Sequence, residues 1–245
     1  MTPSPHLFGQ CLVTGANRGL GLEFARQLLQ AGNRVVATCR NPARAGALNR
    51  LSAQFPGRLH VLPLDVASAR SREELRHELP LVLEAVRLDL LLNNAGVLQP
   101  GERFGQVSQE HLETSLRTNA IGPFLLAQML APLLADGSGD RRGAVVANIS
   151  SEIGSLAGRR EFRTPSYAIG KAALNMATVQ LAHALAPRGI VVAAFHPGWV
   201  RTDMGGEQAP LAAAEAASAL LDRFSALETV HNGAFLDREG RSLPW

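Results

Sequence analysis

Seven short apolar segments, at 10–15, 34–39, 59–64, 88–94, 143–149, 190–196 and 233–237, alternate with stretches of helical periodicity. The helical stretches lie near 19–31, 42–53, 68–86, 108–135, 165–187 and 209–227. Runs such as Ala144-Val-Val-Ala-Asn148 and Ile190-Val-Val-Ala-Ala-Phe195 are apolar at successive positions, so both faces of these strands need cover. A doubly covered strand followed by a helix leads to a parallel neighbour through a crossover connection. The pattern therefore predicts an α/β fold: a single doubly wound (Rossmann) domain over 9–245 after an N-terminal tail at 1–8. Its sheet is expected to have seven parallel strands, with helices on both faces. No repeat or linker divides the chain, and Gly137-Ser-Gly139 reads as a loop before the fifth strand. A length of 245 residues suits one domain with a substantial core.

Charge and composition remove several function classes. The formal net charge is only +3, the arginines are scattered, and the pairs Arg141-Arg142 and Arg159-Arg160 are short. No basic stripe follows a phosphate backbone, so nucleic acid is not an expected partner. The most apolar stretch, 81–92, is interrupted by Glu84, Arg87 and Asp89, which argues against a membrane span. The start, Met1-Thr-Pro-Ser-Pro-His6, lacks the charged and apolar regions of a signal peptide, so a cytoplasmic protein is expected. Cys11 and Cys39 fall inside predicted strands and read as small buried hydrophobes in a reducing compartment. No Cys/His/carboxylate spacing suggests a metal site.

The first strand runs into Thr14-Gly15-Ala16-Asn17-Arg18-Gly19-Leu20-Gly21, and an apolar-periodic helix follows. Glycines at a strand-to-helix turn let backbone N–H groups approach a pyrophosphate, where the helix dipole favours an anion. In a βαβ context this predicts a dinucleotide site. An NAD site has an acidic residue roughly 20 positions past the glycines. Here the second strand ends Thr38-Cys39-Arg40-Asn41, without a carboxylate. Arg40 and Arg18 could clamp a 2′-phosphate, so NADP(H) is the expected cofactor. Asp65, before Val66 at the end of the third strand, could accept the adenine amino group. Asn93-Asn94-Ala95-Gly96 ends the fourth strand with small residues that permit close packing against a cofactor.

The chain has a single tyrosine and a single lysine, in Tyr167-Ala168-Ile169-Gly170-Lys171. In a helix, positions i and i+4 share a face, so phenol and ammonium can meet in one site. An adjacent cation favours phenolate and is expected to pull the tyrosine below its ordinary pKa of about 10. In a chain whose other basic residues are all arginine, lysine at this position suggests a group whose proton can move.

Taken in order, these motifs resemble the short-chain dehydrogenase/reductase superfamily over nearly the whole chain. Thr14 to Gly21 resembles its glycine motif, Asn93 to Gly96 its Asn-Asn-Ala-Gly motif, and Tyr167 with Lys171 its Tyr-x-x-x-Lys pair. Asn119 is similar to its helix asparagine, Ser151 to its serine after the fifth strand, and Pro197-Gly198 to the loop after the sixth. His196 to Gly206, and the ending Asn232 to Asp237 through Leu243-Pro-Trp245, look like the C-factor and sniffer-type carbonyl reductases.

The resemblance implies reduction of a small aldehyde, ketone or quinone by hydride transfer, with Ser151, Tyr167, Lys171 and Asn119 as the catalytic set. Tyr167 is then the general acid, and Ser151 binds the carbonyl oxygen. Lys171 holds the ribose, and Asn119 interrupts its helix to hold a water. Gly15, Asn17, Arg18, Gly19, Leu20, Arg40, Asp65, Val66, Asn94, Ala95 and Gly96 are implied to hold the cofactor, with Tyr167, Lys171, Pro197, Gly198, Val200 and Thr202.

The chain departs from that pattern in two ways. Gly170 stands where the family often has serine, and reads as a minor packing change. A longer spacer carrying Arg159-Arg-Glu-Phe-Arg163 leaves Ser150 as an alternative to Ser151. The spacer's arginines could favour acidic substrates but read first as solvated loop residues.

Ile153, Phe162, Trp199 and Met204 are expected to bound an open pocket without a long lid. His196 reads as structural, and His183 as a solvated or packed helix residue. Alanine-rich faces on the two longest helices suggest a homodimer or homotetramer. A dinucleotide-binding regulator with little turnover is the alternative reading.

Overall fold

The structure, a computed structural model, describes residues 8–139 and 141–245, so all of the expected tail except Phe8 lies outside the described residues. The backbone amide of Phe8 donates to Asn33 Oδ1 at 2.7 Å. In chain order the elements are β1 (Gln10–Thr14), α1 (Gly19–Gln30), β2 (Arg34–Cys39), α2 (Gly46–Gln54) and β3 (Leu59–Pro63). They continue with α3 (Ala69–Val82), β4 (Leu90–Asn93), α4 (Gln109–Leu116), α5 (Gly122–Leu130), β5 (Val145–Ile149) and α6 (Pro165–Leu185). The last are β6 (Val191–His196), β7 (Val200–Arg201), β8 (Leu211–Ala212), α7 (Ala213–Ser225) and β9 (Phe235–Asp237). Seven strands form one sheet in the order β3-β2-β1-β4-β5-β6-β9, with every pair parallel. This is the expected doubly wound architecture.

Strand register explains why successive residues are apolar. Val36, Leu12, Leu91, Val146 and Val192 lie side by side across five strands. They belong to one core with Leu75 of α3, Leu126 of α5 and Leu181 of α6. One residue earlier in each strand, Val35, Cys11, Leu90, Val145 and Val191 belong to a second core with Phe24 of α1, Leu48 of α2 and Phe224 of α7. Phe224 contacts Phe195 at 4.7 Å, edge to face, and Phe24 at 5.9 Å between ring centroids. Alternation of side chains across a pleated strand thus gives each face of the sheet its own apolar layer.

Two elements differ from the pattern. The helix expected over 108–135 is broken: α4 passes through a wider π turn at 117–121 before α5 begins. The stretch at 209–212 is not helical, because Leu211–Ala212 pairs with Val200–Arg201. Two-residue strands carry no readable period. The chain builds β2 and β3 on one side of β1 and then crosses to β4 on the other. Ligands bind doubly wound sheets beyond the strand C-termini at such a reversal.

Candidate active site

Beyond those strand ends lies a cleft of about 880 Å³. Its lining includes Gly15, Asn17, Arg18, Gly19, Leu20, Arg40, Asp65 and Val66 from the β1–β3 side. Asn94, Ala95 and Gly96 follow β4, and Pro197, Gly198, Val200 and Thr202 follow β6. Gly15 and Gly19 have φ of 66° and 54°, a region that disfavours side chains. A Cβ on Gly15 would also stand 2.9 Å from Ala95 Cα. Thr14 Oγ1 accepts the amides of Asn94 and Ala95, each at 3.0 Å. Asn94 Nδ2 returns bonds to the carbonyls of Thr14 at 2.9 Å and Gly15 at 3.2 Å. The Asn94 amide therefore locks the glycine turn to β4.

The start of α1 has no side-chain cap and no acidic residue in its first turn. Its amides remain available to an external anion. Arg40 is exposed at the end of β2. Arg18 Nη1 donates to Asp203 Oδ2 at 2.7 Å, an exposed pair joining opposite walls of the cleft. Asp65 Oδ1 accepts the amide of Ala67 at 3.0 Å.

Tyr167, Lys171 and Ser151 line the same cleft. Tyr167 and Lys171 lie in the first two turns of α6, while Ser151 is the second residue after β5. The Ser151 side chain hydrogen-bonds the phenol, and its Oγ accepts the amide of Ile153 at 3.2 Å. Ser150 Oγ instead donates to Asn175 Oδ1 at 2.6 Å. This geometry pairs the phenol with Ser151.

The pKa expectation for the pair is corrected. Burial pushes the Tyr167 phenol up to about 12, opposed in part by Ser151, and pushes the Lys171 ammonium down to about 7. Desolvation disfavours the charged form of both groups. Lys171 Nζ donates to the Ile149 carbonyl at 2.6 Å and lies 5.5 Å from the Tyr167 ring centroid.

Asn119 stands behind the cleft wall, where its helix is interrupted. Its Oδ1 accepts the Val97 amide at 2.8 Å, and its Nδ2 donates to the Val97 carbonyl and to Ser115 Oγ, both at 2.9 Å. It sits in the π turn and fixes the segment after Gly96, so it positions the wall and its side chain is committed there. Gly170 is likewise more than a minor packing change. A Cβ there would lie 2.5 Å from Ser115 Oγ and 3.3 Å from Asn119 Nδ2. Ser115 fills the space that Gly170 leaves and holds Asn119. Gly170→Ser is expected to cost about 1–3 kcal/mol through overpacking. Adding Ser115→Ala should recover part of that loss, as read from urea midpoints at unchanged slope.

At the other end of the cleft, Ile153, Phe162, Trp199 and Met204 all contribute to the lining, together with Arg163 and Glu102. Phe162 packs edge to face on exposed Phe104 at 5.6 Å. The loop after β6 is short and pinned: Trp199 Nε1 donates to the Gly205 carbonyl at 2.8 Å, and Arg201 Nε to that of Ala209 at 3.0 Å. Arg160 donates to the carbonyls of Ala157 at 2.7 Å and Arg159 at 2.8 Å, within its own loop. His196 Nε2 lies 3.7 Å from Glu152 Oε2, and burial lowers the imidazole's pKa. Glu102 belongs to none of the sequence motifs. Its main partner, Ser166, is 64 residues away, and no local pattern reports such a pairing.

The short chain dehydrogenase family model matches residues 10–211. C-signal of Myxococcus xanthus is 37% identical over 158 residues, which cover 64% of this chain and 93% of C-signal. Carbonyl reductase Sniffer of D. melanogaster superposes with a TM-score of 0.90 at 32% identity, covering 98% of this chain and 100% of that one. An NADPH-bound carbonyl reductase from chicken fatty liver gives 0.88 at 34% identity, covering 96% and 98%. The family match, extending over most of the sheet and both walls of the cleft, shows that this chain belongs to the short-chain dehydrogenases, in the branch of C-signal and the Sniffer-type carbonyl reductases.

Proposed function

We propose that this oxidoreductase uses NADP(H) to reduce the carbonyl group of small aldehydes, ketones or quinones. The observation that carries this reading is the meeting of Ser151, Tyr167 and Lys171 in the cleft that also holds the glycine turn. That cluster favours turnover over a binding-only regulator, which has no need of a proton donor. The residues fit a dinucleotide: the glycine turn admits close approach, the uncapped α1 start offers amides, and Arg18 and Arg40 offer charge for a 2′-phosphate. When bound, NADPH supplies the hydride.

The chain's own groups then handle the oxygen. Ser151 hydrogen-bonds the carbonyl oxygen, and Tyr167 transfers the phenolic proton to it as negative charge develops. A phenol held near pKa 12 keeps that proton throughout the neutral range. Lys171 orients the ribose hydroxyls with its ammonium. Asn119, through Val97, keeps the Gly96 wall in place. The pinned loop after β6 leaves the substrate end open, which supports several small carbonyls as substrates with weak individual affinity.

A panel of carbonyl compounds assayed with NADPH and with NADH tests the reading. Failure to reduce any of them despite NADPH binding would leave the regulator. Arg40→Asp tests the cofactor choice. Removing one charge-assisted contact and adding repulsion should weaken NADPH at least about tenfold, with little change for NADH. Equal losses in fluorescence titrations with the two cofactors would make Arg40 structural.

A further inference from the structure

Glu102 lies in the loop between β4 and α4, lines the substrate end of the cleft, and has a side chain only 1% exposed. Its Oε2 accepts two bonds from Ser166, from the backbone amide at 3.1 Å and the hydroxyl at 2.8 Å. Its Oε1 stands 3.3 Å from His111 Nδ1 of α4, out of hydrogen-bond alignment. A buried carboxylate persists only where donors meet it, and these donors come from the first turn of α6. The next residue in that turn is Tyr167.

Left to itself, α6 starts badly. Thr164, before it, has φ 44° and makes no side-chain cap bond, and its Oγ1 is buried without a hydrogen-bond partner. Pro165 has no N–H, so Ser166 carries the first amide of the helix. Glu102 gives that amide its acceptor from across the cleft, with the charge that suits a helix N-terminus. The remainder of α6 does not depend on this contact, because Leu174, Leu181 and Leu185 bury it in the core. Loosening the cap would therefore free the turn that holds Tyr167 before it unfolded the domain.

We propose that Glu102 is a positioning residue for carbonyl reduction: it caps α6 from the substrate loop and so holds the phenol of Tyr167 against Ser151. The proposal rests on Tyr167 as the proton donor. The experiment compares Glu102→Ala, Glu102→Gln and Ser166→Ala with the wild type. The readouts are kcat and KM for a carbonyl substrate, the NADPH dissociation constant, Tm, and amide hydrogen exchange over 166–168.

Misplacing a reacting group by about 1 Å can cost 10²-fold, so Glu102→Ala should lose about 10–100-fold in kcat. Its NADPH affinity should hold, while exchange at the start of α6 rises. Glu102→Gln keeps an acceptor and should stay within about threefold of wild type, since neutral acceptors also cap helices. Wild-type kcat in folded Glu102→Ala, with only Tm reduced, would overturn the proposal, as would Gln performing no better than Ala. If Glu102→Ala does not fold, Ser166→Ala decides: a lower kcat with faster exchange supports the cap, and wild-type values for both overturn it. A wild type that turns over no carbonyl refutes the reductase reading instead, while hydrogen exchange still reports the cap.

Discussion

Tyr167→Phe is expected to bind NADPH within about threefold of wild type and to lose about 10²–10⁴-fold in carbonyl reduction, the range for removing a positioned proton donor. Phenylalanine preserves the ring that packs in α6 and removes only the hydroxyl that meets Ser151. Affinity and turnover should therefore separate. Direction matters as well. With its pKa pushed up to about 12, the phenol is ready to donate a proton at neutral pH and poorly placed to accept one. Alcohol oxidation by the wild type, which needs the phenolate, should rise with pH across the alkaline range. Reduction should not lose its acid there, and a fall setting in near pH 7 belongs to Lys171. Steady-state assays in both directions from pH 6 to 10, with cofactor titrations of the variant, check this. Near-normal turnover by Tyr167→Phe would remove the phenol from the mechanism.

The strands were legible because burial on both faces leaves an unbroken apolar run, as in Val145–Ile149. The glycine turn was legible because residues adjacent in sequence share one task. Tyr167 and Lys171 lie a single helical turn apart, and both line the cleft. Legibility fell where a residue's partner is remote. Asn94 reads as a cofactor contact, yet its amide ties Thr14 and Gly15, about 80 residues earlier, to β4. The β7–β8 pair is too short to show a period. Gly170 and Ser115 make sense only together, and neither residue announces the other.

The charge state of the site was misread for a related reason. Spacing places an ammonium near a phenol, but it does not report how much water either one loses. In the fold both are buried, and desolvation is the largest cause of each shift. That balance sets the last expectation, which concerns stability. The ordinary pKa of 10.5 falls to about 7 for Lys171. At about 1.4 kcal/mol per unit, keeping Lys171 protonated opposes folding by about 5 kcal/mol. The penalty is complete below pH 7, where both states hold the proton. It shrinks as pH rises, because the folded state releases its proton first, and it is gone by about 10.5.

Lys171→Met removes the penalty but leaves the Ile149 carbonyl without its donor, a loss of about 1–3 kcal/mol. The variant should therefore melt about 4–16 °C above wild type at pH 6, the shift a net gain of about 2–4 kcal/mol gives a domain of this size. Near pH 10 it should be no more stable than wild type, since only the lost hydrogen bond then remains. Over the same range its carbonyl reduction should be lost almost entirely, because nothing replaces the ammonium at the ribose. Thermal melts from pH 6 to 10 beside turnover assays decide the matter. A variant less stable than wild type at pH 6 would mean that the ammonium is not held at a cost, and that the site does not trade stability for chemistry at Lys171.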